Sequence, residues 1–187
     1  NESLRADQIS HASCYLEELE DTLKGIIYNY NQPNQLQFIS PVALDTHSIY
    51  TIHLQGIENC FGQAINTNKS LAIGYGFEAD SGEICINEIL FNPKPEDDDY
   101  IELYNTSKRS LDLSQLKIAK LLNGSAEQFN QLINTPRNIL PQEILCLSKD
   151  PNKTCLSYPS NQREQVIAYH SICSMNDDTD RIILINR

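Results

Sequence analysis

Tryptophan is absent from this 187-residue sequence, so any aromatic binding surface has to be built from its nine tyrosines and five phenylalanines. No stretch approaches the ~18 consecutive apolar residues of a membrane-spanning helix, and no transmembrane segment is predicted. Clusters of basic residues are also missing, because the 14 lysines and arginines are scattered and only Lys108 and Arg109 are adjacent. With a formal net charge of −11 and a pI near 4.7, the chain is not expected to bind nucleic acid or an anionic membrane surface.

The motifs that mark common catalytic centres are missing as well. The four histidines show no HExxH spacing, and no serine lies in a GxSxG motif. Two carboxylates that flank a cleft can hydrolyse glycosides, which draws attention to Glu88 and Glu102. Both lie within predicted strands, however, where an outward-facing polar side chain is the ordinary interpretation. The sequence therefore predicts no enzyme.

The six cysteines are spread along the chain, and none forms the close pair that a zinc ribbon or finger needs. An even number in an acidic, β-rich chain favours an oxidising compartment and at least one disulfide. The alternative is that several are buried free thiols, since cysteine also behaves as a small hydrophobic residue. Cys146 and Cys155 are the first candidate pair, because they bracket the turn-rich segment SKDPNK. Cys14 with Cys60 is the corresponding candidate in the N-terminal half.

Short apolar runs at strand period, broken by turn residues, dominate the region from residue 84 to residue 118. A strand over residues 84–91 ends at Asn-Pro-Lys-Pro, since proline lacks the N–H group that continues a ladder. Residues 100–104 alternate, with Ile101 and Leu103 on one face and polar or aromatic side chains on the other. Further strands are predicted around Pro141 within residues 139–147, at 166–169 and at 181–185, whereas residues 150–159 are predicted to be loop.

The segments INEILFNP, DYIELYN and SLDLSQLKIA resemble, in this order and spacing, the lamin-tail domain as it occurs in bacterial cell-envelope proteins. RNILPQEILCLSKDP, CLSYP and SMNDDTDRIILIN continue the resemblance, which covers residues 82–187. It implies a small immunoglobulin-like (Ig-like) β-sandwich with no known catalytic centre. Many short strands with regularly spaced turns are typical of such a sandwich.

The N-terminal half carries a less specific resemblance. YTIHLQGIENCFGQAI is similar to the closing strand and turn of bacterial Ig-like domains. We therefore predict an all-β chain of two tandem Ig-like modules, residues 1–78 and 79–187, with the boundary near residues 78–82. Residues 13–24 place leucines at helical spacing, which leaves open a short amphipathic helix near the N-terminus or a distorted strand.

Two surface features are candidate binding sites. Calcium takes six to eight oxygen ligands, and the acidic run makes Asp97, Asp98 and Asp99 candidate ligands. The alternative is a solvated turn that keeps the neighbouring strand edge from pairing with other chains. Tyr100 and Tyr104 share a strand face and could form a platform for sugar or peptide, or could pack across the sheet.

These observations predict a non-catalytic adhesion, binding or spacer module of a larger bacterial cell-envelope or secreted protein. The expected location is extracytoplasmic, in the periplasm, the outer envelope or the medium. The expected partner is a protein or glycan at the cell surface. The alternative is an accessory domain of an extracellular hydrolase whose catalytic domain lies elsewhere. Since the sequence begins at Asn1 without methionine, we expect a mature or excised fragment.

Overall fold

The computed structural model describes residues 12–23, 26–28, 36–64, 70–133, 137–159, 165–169 and 181–186. The chain divides into two compact units, Asn1–Gly74 and Tyr75–Arg187. The described elements are β-strands with one short α-helix and two 3-10 turns, which confirms the predicted all-β fold class. Each unit has its own hydrophobic cluster, as expected for separately packed domains.

The N-terminal unit contains a four-stranded antiparallel sheet in the order β2-β1-β5-β6. A separate hairpin is formed by two more strands, β3 and β4. The bounds are β1 Ser13–Leu16, β2 Asp21–Leu23, β3 Ile26–Tyr28, β4 Leu36–Phe38, β5 Ile49–Gln55 and β6 Ser70–Gly74. Its core contains Cys14, Leu16, Leu23 and Tyr50. The assignment of this unit to an Ig-like fold, and the predicted domain bounds, stay predictions.

For residues 13–23 the helical alternative is wrong and the distorted-strand alternative is right, and Lys24 lies outside the described residues. Strands β1 and β2 pair directly, with Cys14 opposite Leu23, and a 3-10 turn over Glu17–Leu19 connects them. Glu20 adopts a left-handed backbone conformation with φ of 50°, which ends the turn. The leucines at helical spacing therefore separate: Leu16 and Leu23 enter the core, and Leu19 is 37% exposed.

The C-terminal unit contains nine strands and one α-helix among its described residues. The strands are β7 Ile84–Leu90, β8 Tyr100–Asn105, β9 Leu111–Asp112, β10 Leu116–Leu122, β11 Ser125–Gln131, β12 Asn138–Ile139, β13 Ile144–Ser148, β14 Val166–Ala168 and β15 Ile182–Asn186, and the helix is α1 Pro151–Ser157. One sheet has the order β14-β13-β8-β7, a second has the order β11-β10-β15, and β12 pairs with β9. Only the pairing of β13 with β14 is parallel among these described strand pairs. The strands predicted from residue 84 onward are thus confirmed.

The core of this unit lies between its two larger sheets. Ile101 and Leu103 of β8 face inward opposite Leu147 and Leu145 of β13, and all four are fully buried. Ile118 of β10 belongs to the same cluster, against which side chains of β15 pack. Two sheets that bury one apolar core between their inner faces form a β-sandwich.

The helix α1 corrects the prediction that residues 150–159 form a loop. Asp150 precedes the helix, and its side chain accepts hydrogen bonds from the backbone N–H groups of Asn152 and Lys153. Pro151 occupies the first helical position, where its missing N–H costs nothing. An N-cap aspartate followed by proline is a helix start signal, but seven residues are too few to show helical periodicity.

Asp150→Ala is expected to lower the free energy of unfolding by about 1 kcal/mol, because two N–H groups of the helix lose their acceptor. Urea unfolding measures the difference. Lys149→Ala, a change at the exposed neighbouring residue, serves as the control and is expected to be nearly neutral. Equal destabilisation by the two variants would show that the cap contributes nothing.

Candidate functional site

The outer face of the β14-β13-β8-β7 sheet carries a row of side chains that the strand registers bring into line. Glu102 in β8 lies opposite Cys146 in β13 and opposite Glu88 in β7. Val166 in β14 lies opposite Cys146 and continues the row. Because strand side chains alternate, this row points away from the core that Ile101 and Leu103 enter.

A concave site opens on this face, beside helix α1, with a volume of about 220 Å³. We call it the outer-face cleft. Its lining residues are Tyr100, Glu102, Ile144, Cys146, Thr154, Tyr158, Gln165 and Val166. Concave sites that combine aromatic and apolar walls with a few polar groups are the usual form of a ligand-binding site.

Two tyrosines form one wall of the cleft. The rings of Tyr100 and Tyr158 meet edge to face, with centroids 5.7 Å apart and an interplanar angle of 72°. The Tyr100 hydroxyl donates a 2.6 Å hydrogen bond to Glu88 Oε1. Burial, and then the adjacent Glu88 carboxylate, raise the pKa of Tyr100 above its usual value. The phenol therefore stays a protonated donor at neutral pH.

The carboxylates of Glu88 and Glu102 lie on neighbouring strands directly opposite each other, an arrangement that repels when unscreened. Each has its own hydrogen-bond donor. Glu88 accepts from Tyr100, and Glu102 Oε2 accepts from Asn87 Nδ2 at 2.9 Å. Glu102 lines the cleft and Glu88 lies beside it on the neighbouring strand, which concentrates carboxylates on this part of the sheet.

The acidic loop before β8 contacts helix α1. Asp97 Oδ1 accepts a 2.6 Å hydrogen bond from Ser157 Oγ, and Asp98 lies 3.8 Å from Lys153 Nζ. Within the described residues, no three histidine, cysteine, aspartate or glutamate side chains come together in a way that could hold a metal ion. The proposal of Asp97, Asp98 and Asp99 as calcium ligands stays a prediction. What the geometry shows is that two of these aspartates tie the helix to the loop.

The C-terminal unit, which carries the sandwich and its cleft, matches a known protein family. The family model of the lamin tail domain matches residues 78–187, more than half of the chain. The chain belongs to the lamin tail domain family. No curated protein and no solved structure matches the chain. The predicted resemblance of residues 82–187 to the lamin-tail domain is confirmed, whereas its bacterial cell-envelope context stays a prediction.

Lamin tail domains are non-catalytic Ig-like domains of the kind that mediates protein interactions. The outer-face cleft lies entirely within the matched residues. In the part of the chain that the structure describes, no helix has the length and apolar character that crossing a membrane requires.

Five cysteines fall within the described residues, and all five are free thiols; Cys173 lies outside them. Cys60 and Cys85 are exposed, whereas Cys14, Cys146 and Cys155 are buried. Thr154, the residue before Cys155, lines the outer-face cleft together with Cys146. The Cys146–Cys155 and Cys14–Cys60 disulfides stay predictions for an oxidising environment.

Cys146 is expected to be a slow nucleophile. Burial, assisted by the Glu102 carboxylate, raises the pKa of the Cys146 thiol to about 12. Because the thiolate is the reactive form, alkylation of Cys146 at pH 8 should be at least ~100-fold slower than alkylation of the exposed Cys60 and Cys85. Peptide mass spectrometry after timed iodoacetamide treatment measures the three rates, and urea-unfolded chain is the control in which they converge. Equal rates in the folded chain would contradict the buried, protonated thiol.

The raised pKa values also predict a loss of stability at alkaline pH. The folded lamin tail domain keeps the Cys146 thiol protonated, whereas the unfolded chain releases its proton near the ordinary value of 9.0. The associated stability is therefore complete below pH 9 and is lost as the pH rises toward 12, and Tyr100 acts in the same direction. Melting temperature against pH should fall over this range, with a shallower slope in Cys146→Ala. Parallel slopes for the two proteins would contradict it.

Sequence reasoning identified Tyr100, Glu102 and Cys146 as candidates for separate roles, and the structure brings all three to one cleft. It did not single out the remaining lining residues, namely Ile144, Thr154, Tyr158, Gln165 and Val166. The start signal Asp150-Pro151 could have predicted α1, the helix that carries Thr154 and ends just before Tyr158. Tyr104 lies on the same face of β8 as Tyr100 but is not among the residues that line the cleft. The aromatic partner of Tyr100 in the cleft wall is Tyr158.

Proposed function

We propose that this lamin tail domain chain is a non-catalytic binding module of a larger protein and that the outer-face cleft receives its partner. The observation that carries the proposal is the convergence of Tyr100, Glu102, Cys146 and Tyr158 on one concave site. These residues come from two strands and the end of a helix. Stability of a sandwich needs no such concavity on its outer face, whereas recognition of a ligand does.

The walls of the cleft are held by contacts that do not depend on a ligand. The hydroxyls of Ser148 in β13 and Thr154 in α1 lie 2.5 Å apart and are both buried. The Asp97–Ser157 hydrogen bond fixes the far end of the helix. A preformed site of this kind loses little conformational entropy on binding, which favours affinity.

The setting that we propose is the cell envelope or the extracellular medium, with a protein or glycan of the cell surface as the partner. The resemblance of residues 82–187 to lamin-tail domains of bacterial cell-envelope proteins supports this setting. The acidic net charge and the even number of cysteines fit it as well. Fractionation of cells that express the full-length protein tests it, and recovery in the cytoplasm would contradict it.

The binding role is tested by titrating the isotope-labelled chain with four probes and following backbone amide shifts. The probes are a lysine-containing pentapeptide, its glutamate analogue, its acetyl-lysine analogue and chitohexaose. At least one should bind, and Tyr158→Leu should weaken that binding by about 10-fold or more, since the aromatic contact is lost. Phe129→Leu is the matched control, because Phe129 is a 54% exposed aromatic residue on the other sheet. No binding by any probe, or equal losses in both variants, would contradict the proposed role.

A further inference from the structure

Negative charge and aromatic surface coincide at the outer-face cleft. Glu102 lines it, and the exposed Glu88 lies next to Glu102 across the strand pair. Among the described residues, Lys94 contacts the Tyr158 ring and Lys153 lies beside Asp98 at the helix. The Glu102 carboxylate lines the cleft and accepts a hydrogen bond from Asn87. A carboxylate can accept several hydrogen bonds, so Glu102 can also accept one from a ligand.

Tyr158 already holds a cation within this chain. The ammonium nitrogen of Lys94 lies 5.5 Å from the centroid of the Tyr158 ring, within the range of a cation–π interaction. The contact shows that the ring of Tyr158 is compatible with a neighbouring positive group. Lys94 itself is exposed and does not line the cleft, and among the described lining residues there is no lysine or arginine.

The shape of the cleft fits a long side chain with a charged end. Ile144 and Val166 provide apolar surface for an aliphatic stem, and Glu102 provides the opposite charge. Lysine and arginine bury their stems along apolar surface while their charged ends seek polar partners. A volume of about 220 Å³ accommodates one such side chain.

We infer that the outer-face cleft accepts a lysine or arginine side chain presented by a protein partner. This inference rests on the proposed binding role and names the chemistry of the group that is bound. The net charge of −11 supports it, because an acidic chain attracts a basic partner and disfavours an acidic one. The contact with Glu102 is electrostatic, so binding should weaken as salt rises.

The test compares Ac-Gly-Gly-Lys-Gly-Gly-NH2 with the same peptide carrying acetyl-lysine, in amide-shift titrations of the whole chain. Acetylation removes the charge and keeps the stem, so the lysine peptide should bind about 10-fold more tightly. Raising the salt from about 0.05 to about 0.5 M should weaken only the lysine peptide. Equal affinities of the two peptides would overturn the inference.

Two variants locate the effect. Glu102→Gln removes the charge at the cleft while keeping the shape, and should reduce the preference for lysine to less than about 2-fold. Glu127→Gln makes the same change in net charge as Glu102→Gln, at an exposed position of β11 on the other sheet. This variant should still prefer the lysine peptide over the acetyl-lysine peptide. Loss of the preference in both variants would overturn the inference, since the effect would then come from overall charge.

The outcomes also separate the inference from the proposed binding role. If acetyl-lysine peptide or chitohexaose binds as tightly as lysine peptide and Tyr158→Leu abolishes the binding, the cleft is a binding site for neutral ligands and the inference is wrong. If no probe shows dependence on Tyr158, both the binding role and the inference are wrong. A preference for lysine that depends on Glu102 and Tyr158 supports both.

Discussion

Asn105→Asp is expected to lower the free energy of unfolding of the lamin tail domain by about 3–5 kcal/mol. Asn105 is fully buried at the end of β8. Its amide nitrogen Nδ2 donates to the backbone carbonyls of Arg109, Ile139 and Leu140 at 2.8, 3.0 and 3.0 Å. Its Oδ1 accepts from the N–H and hydroxyl groups of Ser107. Aspartate keeps the acceptor but replaces the donor with a buried oxygen that faces three carbonyl oxygens.

The measurement is urea unfolding of Asn105→Asp and of Asn123→Asp. The second variant makes the same chemical change at the exposed β10–β11 turn, where aspartate tolerates the left-handed backbone of φ 50°. It should change the free energy by less than about 0.5 kcal/mol. A loss of less than about 1 kcal/mol for Asn105→Asp would show that the network around Asn105 does not hold the loops together.

Leu103→Ala is expected to cost about 2–5 kcal/mol. Leu103 is fully buried in the middle of β8, opposite the fully buried Leu145 of β13, and belongs to the core cluster between the sheets. Truncation removes apolar contacts and leaves a cavity that strands of two packed sheets cannot close without moving. The loss should appear in unfolding of the lamin tail domain.

Leu156→Ala is the matched control for this substitution. Leu156 lies on α1 with 73% of its surface exposed, and alanine is the better helix former. The free energy of unfolding of this variant should lie within about 0.5 kcal/mol of that of the parent chain. If Leu103→Ala and Leu156→Ala lower the free energy of unfolding by the same amount, then the sandwich core is not where the structure places it.

In strand β8, the local sequence was enough to predict which side chains face the core. The alternation in YIELYN predicted that Ile101 and Leu103 face one side and Tyr100 and Glu102 the other, and the structure agrees. Pairing with β13 then makes the inner residues core and the outer residues part of the cleft. Alternation is a property of consecutive residues, so it can be read without knowing which strand lies alongside.

The composition of the cleft could not be predicted in the same way. Cys146 faces Glu102 only because β13 pairs with β8 in one particular register across more than 40 residues of intervening chain. A shift of one residue would turn Cys146 to the other face. Two of the carbonyls that Asn105 binds are also remote in sequence, since Ile139 ends strand β12 and Leu140 follows it.

Short or polar elements were missed for a different reason. Strand β11 has the sequence SAEQFNQ, which carries little apolar alternation and is held by pairing with β10 and by the Asn123-Gly124 turn. Both turn residues have positive φ, as a two-residue hairpin turn requires. Here tertiary pairing, and not the periodicity of the segment itself, makes the strand.

The most direct test of the outer-face cleft as the binding surface is a backbone amide-shift map of the whole chain with the lysine pentapeptide. The largest changes should fall on Tyr100, Glu102, Cys146, Thr154 and Val166, which four separate elements bring together. Largest changes on β10, β11 or β15, or in the N-terminal unit, would contradict the cleft as the site of binding.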